Sequence, residues 1–449
     1  MGIQKLNRYI SSFQLIILGF FLVILLGSFL LMLPIATNDL KGASFLDALF
    51  TATSAACVTG LVLHNTAQYW SFFGQAVILL LIQIGGMGVV TVAIAIAMLS
   101  GRKIGLMQRS TLQEAISAHR VGGIVKLTVF ILKTTFFIEF IGAISLYLSF
   151  GMEFGWLKGI WYSLFHSISS FCNAGFDLMG EIQGKTSLMY FSANPFINVP
   201  IMLLIIIGGI GFLTWEDIRK NRFQWRKYRM QSKVVLLTTV VLITLPTLYF
   251  FFIEFGQKKW QDMSLLERLL ASLFHSVTPR TAGFNTIDLS KISEPGQLIT
   301  IFLMLIGGSS GSTAGGFKVT TLAVLAMTMT AVFRKKDTAE CFGRRLSSES
   351  VHNAVAIFAI YMLLFLTGGM LICGIEGIPL LSSLFEAASA IATVGLSLGI
   401  TSQLGAISQI ILIGLMFFGR VGCLTLVYAV ISKKGSYHSH FPEEKINVG

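Results

Sequence analysis

Between Asp47 and Arg102 the chain carries no Lys, Arg, Asp or Glu. Four more charge-free runs follow, from Lys185 to Glu216, Lys233 to Glu254, Glu349 to Glu376 and Glu386 to Arg420. A helix crosses a bilayer with about 20 apolar residues, and most of these runs are longer. Only 12% of the residues are charged, against about 25% in soluble domains. The chain therefore reads as an all-α polytopic membrane protein. The first apolar stretch, Phe13–Thr37, exceeds the roughly 7–15 residues of a signal-peptide core and lacks a small-residue cleavage site after it, so it reads as a membrane helix.

The net charge of +12 raises nucleic-acid binding, but its placement argues for the membrane instead. Basic residues gather in the N-terminal tail, at Arg102–Lys126, Arg219–Lys233 and Arg334–Arg345, and in the C-terminal tail; these groups hold 22 of the 33 Lys and Arg. The positive-inside rule makes that side cytoplasmic. Both termini are then cytoplasmic, in a multi-pass protein of the plasma membrane with an even number of spans. The five cysteines are scattered, without a CxxC pair, and suggest neither a disulfide framework nor a metal site.

One unit recurs four times. An apolar stretch is followed by a short piece that opens with Phe and closes in Gly plus a large apolar residue, then by a second apolar stretch. The short pieces are Phe50–Leu61, Phe165–Phe176, Phe274–Phe284 and Phe385–Leu396, and their glycines, Gly60, Gly175, Gly283 and Gly395, lie 115, 108 and 112 residues apart. The first stretches are Phe13–Thr37, Leu127–Gly151, Val234–Phe255 and Val351–Ile375. The second are Phe72–Ser100, Leu188–Trp215, Gln297–Phe333 and Ala406–Ser432. This periodicity predicts four tandem helix–pore loop–helix repeats, over residues 1–121, 122–229, 230–345 and 346–449, with eight transmembrane helices around a pseudo-fourfold pore. The short pieces cannot span a bilayer and read as half-helices that enter the membrane from outside.

Irregular backbone inside a membrane is tolerated only where protein buries it or it lines a watery cavity. A half-helix ending on a common axis points its partly negative C-terminus inward, and extended backbone after it offers carbonyls that replace a cation's hydration shell. Physics alone implies a dehydrated monovalent cation. The strings VTGL at 58–61, NAGF at 173–176, PRTAGFN at 279–285 and TVGL at 393–396 resemble the filter segments of the Ktr/Trk/HKT superfamily of cation uptake systems, and the resemblance covers residues 13 to 432. It implies a potassium filter made by Val58, Thr59 and Gly60, by Asn173, Ala174 and Gly175, by Thr281, Ala282 and Gly283, and by Thr393, Val394 and Gly395. Potassium is the transported ion, held at the filter only. Serine at the first-loop position accompanies sodium transport in the plant branch, so Gly60 implies potassium. Four helix C-caps ended by glycine are the plainer reading.

The third repeat is interrupted by Gly307, Gly308, Ser309, Ser310, Gly311, Ser312, Thr313, Ala314, Gly315 and Gly316. Glycine costs about 1 kcal/mol relative to Ala inside a helix, so this stretch predicts a flexible intramembrane loop. It resembles the family's gating loop; close helix packing through small residues is the alternative. Lys318 follows without the Gly-Lys-Ser/Thr of a phosphate-binding loop. Arg420 lies deep in an apolar run, where a charge is costly and marks function by default. In the family an arginine in this span forms an electrostatic barrier beneath the filter; capping of loop carbonyls is the structural alternative.

His166 and His275 follow the repeat Phe, with Thr51 and Glu386 in the equivalent places; capping or packing at the outer ends of the pore helices is expected, not metal binding. Glu139, near Lys133 in sequence, is the one acidic residue placed for a proton relay. Asp177 stands just past Gly175, as a source of negative potential at the outer mouth or as a solvated loop carboxylate. No hydrolytic constellation lies at membrane depth, so an enzyme is not expected. Selective, sodium-dependent potassium uptake is the reading the resemblance implies; a sodium-selective or cation-coupled secondary transporter is the alternative. The family also implies a homodimer on a cytoplasmic ring of RCK-type subunits. ATP, ADP or another nucleotide would bind that partner, and no cofactor is expected in this chain.

Overall fold

The structure, a computed structural model, describes residues 11–100, 104–116, 123–182, 185–222, 224–422 and 425. The first segment folds as α1 (Ser12–Leu31), α2 (Phe45–Ala56), α3 (Phe72–Met87), α4 (Val89–Leu99) and α5 (Leu106–Ala115). The second gives α6 (Ile124–Phe154), α7 (Trp156–Phe171), α8 (Pro195–Gly209) and α9 (Phe212–Asn221). The third gives α10 (Met230–Tyr249, prolonged by a π turn over Phe250–Glu254), α11 (Leu265–Val277), α12 (Glu294–Leu305) and α13 (Val319–Phe333). The fourth gives α14 (Ser348–Glu376), α15 (Leu380–Ile391) and α16 (Ala406–Val421). Two antiparallel hairpins of two-residue strands, Glu181–Ile182 with Lys185–Thr186 and Glu340–Cys341 with Arg344–Arg345, and several short helical turns lie in the connections.

Serine starts many of these helices. Ser11 accepts from the Gln14 amide while its own amide donates to the Gln14 side chain, a capping box at the head of α1. Ser44, Ser71, Ser264, Ser293 and Ser347 cap α2, α3, α11, α12 and α14 through their hydroxyls. Each satisfies an N-terminal amide that has no partner within its helix, worth roughly 1 kcal/mol.

The Phe that opens each short sequence piece is an anchor. Phe50, Phe165, Phe274 and Phe385 lie on α2, α7, α11 and α15 and are fully buried; burying such a ring contributes about 1.5–3 kcal/mol. The opposite surface is apolar but exposed, with Phe21, Leu22, Leu26 and Phe29 on α1 and Phe136, Phe137 and Phe140 on α6 facing outward. An apolar belt of this extent is made for lipid, not water. Small residues let α7 lie against α6: a Cβ on Gly159 would fall 2.6 Å from the Cα of Gly151.

Four helices are long and apolar enough to cross a bilayer alone: α1, α6, α10 with its π turn, and α14. The expected second spans Phe72–Ser100 and Leu188–Trp215 are not straight. Each turns by 95°, between α3 and α4 and between α8 and α9, at Gly88 (φ 85°) and Gly211 (φ 88°), a left-handed region that only glycine enters freely. The expected span Gln297–Phe333 is split into α12 and α13. The helix expected over Ala406–Ser432 is seen as α16 to Val421; apart from Gly422 and Thr425, its remainder lies outside the described residues. With 12 and 16 residues, α12 and α16 are about 18 and 24 Å long, short of the ~30 Å hydrocarbon core.

Candidate functional site

The short helices α2, α7, α11 and α15 end just before the four sequence glycines, and their C-termini converge on one place. There the backbone alternates in sign. Val58, Asn173, Thr281 and Thr393 have φ of 59°, 60°, 70° and 51°, and each glycine two residues later is again positive. For β-branched Val and Thr such values are outliers, costing about 1–3 kcal/mol each. Strain repeated at four equivalent positions marks a site under constraint.

The glycines close a ring. A Cβ on Gly60 would lie 2.4 Å from the Ala174 carbonyl oxygen, one on Gly175 2.6 Å from that of Ala282, one on Gly283 2.4 Å from that of Val394, and one on Gly395 2.2 Å from that of Thr59. All twelve residues singled out in the sequence are thus brought together, each loop abutting the next in the order one, two, three, four, one. The residue before each glycine presents its carbonyl to the neighbouring loop, and no side chain beyond hydrogen fits at the glycine.

A hydroxyl row that sequence reasoning missed braces this backbone. Ser54 accepts from the Gly60 amide at 3.1 Å and Ser389 from the Gly395 amide at 3.0 Å. Ser169 and Thr278 donate to the carbonyls of Phe176 and Phe284, at 2.7 and 2.8 Å. Each hydroxyl stands four residues after the anchoring Phe, a signal that was available. Thr51, His166, His275 and Glu386 lie inside the short helices rather than at their outer ends, which corrects the expectation. His166 carries its proton on Nδ1, which donates to Tyr162 O at 2.7 Å and leaves Nε2 to accept from the Leu178 amide at 3.4 Å. Thr300 Oγ1 donates to Gly296 O and so accepts from His275 Nε2, 3.0 Å away. Glu386 accepts from Ser397, and from Thr401 at 2.9 Å.

Glycines of the second helices pack onto the ends of the short ones. A Cβ on Gly85, Gly208 or Gly419 would fall 2.0, 2.1 or 1.9 Å from the carbonyl oxygens of Ala56, Phe171 and Ile391. The strings Gly85-Gly86-Met87-Gly88, Gly208-Gly209-Ile210-Gly211 and Gly419-Arg420-Val421-Gly422 carry the signature of this packing. In the third segment Gly307 meets the Gly315 carbonyl instead, because the chain there leaves the helix.

The residues between α12 and α13, which include all ten from Gly307 to Gly316, form a buried irregular loop. It is tied to the break between α8 and α9: Ser309 N donates to Gly209 O (2.9 Å), Ser309 Oγ to Ile210 O (2.7 Å), and Phe212 N to Gly311 O (2.8 Å). Thr313 Oγ1 donates to Phe171 O at 3.1 Å and lies 3.3 Å from Asn173 Oδ1, while Asn173 Nδ2 reaches Thr281 Oγ1 at 3.3 Å. One Asn side chain therefore ties two ring loops to the intramembrane loop. A Cβ on Gly315 would meet Thr393 Oγ1. Lys318 donates to Ala314 O at 2.8 Å. Arg420 donates to Thr313 O, to Gly85 O, and to Gly86 O at 3.3 Å.

Two cavities adjoin these parts. One of 330 Å³ is bounded by the four glycines and by Asp177, Asn285 and Ser397. The other, of 280 Å³, is bounded by the intramembrane loop, Lys318, Tyr361 and Arg420. Asp177 accepts from the Met179 amide at 3.0 Å, and desolvation pushes its carboxyl up to about 6, opposed by that amide and by Ser187. Glu139 is buried and accepts from Gln83 Nε2 at 3.0 and 3.3 Å; Lys133 is exposed on another face of α6, so the two do not pair. Among the described residues no three His, Cys, Asp or Glu converge on a metal position.

Residues 7–439 match the family described as TrkH, cation transport protein. The chain is 41% identical to the potassium/sodium uptake protein NtpJ of Enterococcus hirae, over 99% of both chains. It is 38% identical to the Ktr system potassium uptake protein B of Bacillus subtilis, over 97% of this chain and 96% of that one. Its fold is similar to that of the potassium transporter TrkH from Vibrio parahaemolyticus, with a TM-score of 0.73 at 20% identity, covering 94% of this chain and 84% of that one. A buried ring of backbone carbonyls in an apolar helical protein and a family match over nearly the whole chain lead to one conclusion: this chain belongs to the TrkH family of cation transport proteins.

Proposed function

We propose that the chain takes up potassium across the plasma membrane through a filter at the four-glycine ring. The observation that carries this reading is the closed order of contacts from Gly60 through Gly175 and Gly283 to Gly395. Carbonyls of Thr59, Ala174, Ala282 and Val394, with those of Val58, Asn173, Thr281 and Thr393, replace the hydration shell of the ion. The negative ends of α2, α7, α11 and α15 favour a cation there. The relatives' descriptions as a potassium/sodium and a potassium uptake protein support the choice of ion.

In this reading the four segments are repeats around one pseudo-fourfold pore, and the short or bent second helices complete eight spans with both termini cytoplasmic. The loop at residues 307–316 is the gate, and Arg420 is the positive barrier beneath the filter. A homodimer docked on a nucleotide-binding regulatory ring, supported by the description of one relative as part of a Ktr system, sets when the gate opens. A second reading, sodium as a transported or coupling ion, is favoured by the potassium/sodium description of the Enterococcus hirae relative.

The test is growth of an uptake-deficient bacterium at low potassium, expressing this chain with a nucleotide-binding regulatory subunit. Potassium-dependent rescue with rubidium influx supports the first reading, and its weakening on sodium depletion is the sodium dependence expected of it. Sodium influx in place of rubidium influx favours the second, and a membrane-inserted chain without cation flux contradicts both.

A further inference from the structure

A groove of 1050 Å³ runs along the outside of the second segment, between α6 and the bend from α8 to α9. Phe137, Ile207 and Trp215 give it apolar walls, and Lys126, Lys133 and Arg219 stand along it. Lys126, Phe130, Lys133 and Phe137 follow each other at steps of four, three and four residues, which places them on one stripe of α6. The 95° bend between α8 and α9 brings Arg219 to the same stripe, its guanidinium 4.8 Å over the Phe130 ring.

None of these three cations has a carboxylate within ion-pair distance among the described residues. Glu139, the acid nearest Lys133 in sequence, is turned inward to Gln83. Lys133 stands nine residues into α6, about 14 Å along its axis, on a face that looks out from the protein. An unpaired cation at such depth is costly unless its stem carries the ammonium back toward the headgroup level. Three cations lining one apolar groove, at the end of the span that bears the basic loops, call for a ligand with one anionic head and long apolar tails.

We propose that this groove binds an anionic phospholipid, its phosphate among Lys126, Lys133 and Arg219 and an acyl chain along Phe137, Ile207 and Trp215. Basic pockets between membrane helices on the cytoplasmic side recognise such headgroups. A zwitterionic lipid would fill the apolar walls equally well and leave the positive charge unmatched. The site is separate from the four-glycine ring and does not depend on which cation is carried.

The experiment reconstitutes the full chain in phosphatidylcholine vesicles doped, at matched mole fractions, with dibrominated phosphatidylglycerol or dibrominated phosphatidylcholine. Quenching of Trp215 is read as the difference between the wild type and Trp215→Phe. The expected result is stronger quenching by the brominated anionic lipid, with apparent affinity falling about fivefold for each charge removed in Lys133→Gln and Arg219→Gln. Lys133→Arg and Lys158→Gln, the latter outside the groove, keep the preference. Equal quenching by both lipids means bulk acyl chains merely wet the groove and overturns the proposal, as does an anionic preference that survives loss of both charges. Native mass spectrometry of retained phosphatidylglycerol measures the same preference without the Trp215 variant.

Discussion

Arg420 on α16 donates to the backbone carbonyl of Thr313 in the intramembrane loop, and its second terminal nitrogen reaches Gly85 and Gly86 at the end of α3. One guanidinium thus closes the fourth segment over the third and the first. Its five donors in a fixed plane suit carbonyls arriving from two directions, whereas lysine offers a single point. The loop is also held by the broken end of α8, by Lys318 and by the Thr313 hydroxyl on Phe171, and Arg420 adds the link to the first and fourth segments.

Replacing Arg420 with Gln removes both the latch and the positive charge. Rubidium flux into proteoliposomes is expected to rise about fivefold, roughly 1 kcal/mol off the barrier, with the ratio of rubidium to sodium unchanged. Arg420→Lys keeps the charge and loses the fork, and should fall between the two. Flux that drops in Arg420→Gln, in protein of wild-type thermal stability, contradicts the barrier role.

Ser54 and Ser389 accept from the amides of Gly60 and Gly395, and the first of these bonds is fully buried. Ser54→Ala leaves a buried N–H without a partner, a cost of about 1–3 kcal/mol. A lower denaturation temperature in detergent and a reduced preference for rubidium over sodium are both expected. Ser54→Thr restores the hydroxyl and should recover the preference. Unaltered selectivity in Ser54→Ala would show that the ring holds its shape without this brace.

Asp177 borders the cavity outside the ring, and desolvation raises its carboxyl to about 6. It is charged above that value, where on the proposed ion path it would attract cations to the ring; below it the charge is lost. Apparent KM for rubidium at low ionic strength should therefore rise, by about threefold, as external pH falls from neutral to about 5. Asp177→Asn should show the higher KM throughout and lose this pH dependence. Identical pH profiles for the two proteins place the carboxylate off the ion path.

The parts legible in the sequence were those set by local spacing. Phe50, Phe165, Phe274 and Phe385 with the glycines that follow them located α2, α7, α11 and α15, because a buried anchor and a backbone needing positive φ recur at fixed distance. The glycine-rich interruption after Leu305 was legible because a helix does not continue through so many glycines. The bends at Gly88 and Gly211 were not: an apolar run reports depth in the membrane, not direction. The packing of Gly85, Gly208 and Gly419 leaves a mark in the recurrent Gly-x-x-Gly strings, but which carbonyls these glycines meet depends on contacts no local pattern encodes. The hydroxyls of Ser54, Ser169, Thr278 and Ser389 stand four residues after each anchoring Phe, but spacing alone does not say which backbone group a hydroxyl meets. The approach of Arg219 to Lys126 and Lys133 exists only because α9 turns back.

A Cβ on Gly60 would stand 2.4 Å from the Ala174 carbonyl oxygen, at a φ of 89°. Serine at this position must push apart two loops of the ring. The measurement is paired rubidium and sodium uptake into proteoliposomes by the wild type and Gly60→Ser, with folding checked by thermal denaturation. The wild type is expected to prefer rubidium by more than about tenfold, ~1.4 kcal/mol, and folded Gly60→Ser to lose most of that preference. A folded Gly60→Ser protein with wild-type preference would show that the four-glycine ring does not select the ion.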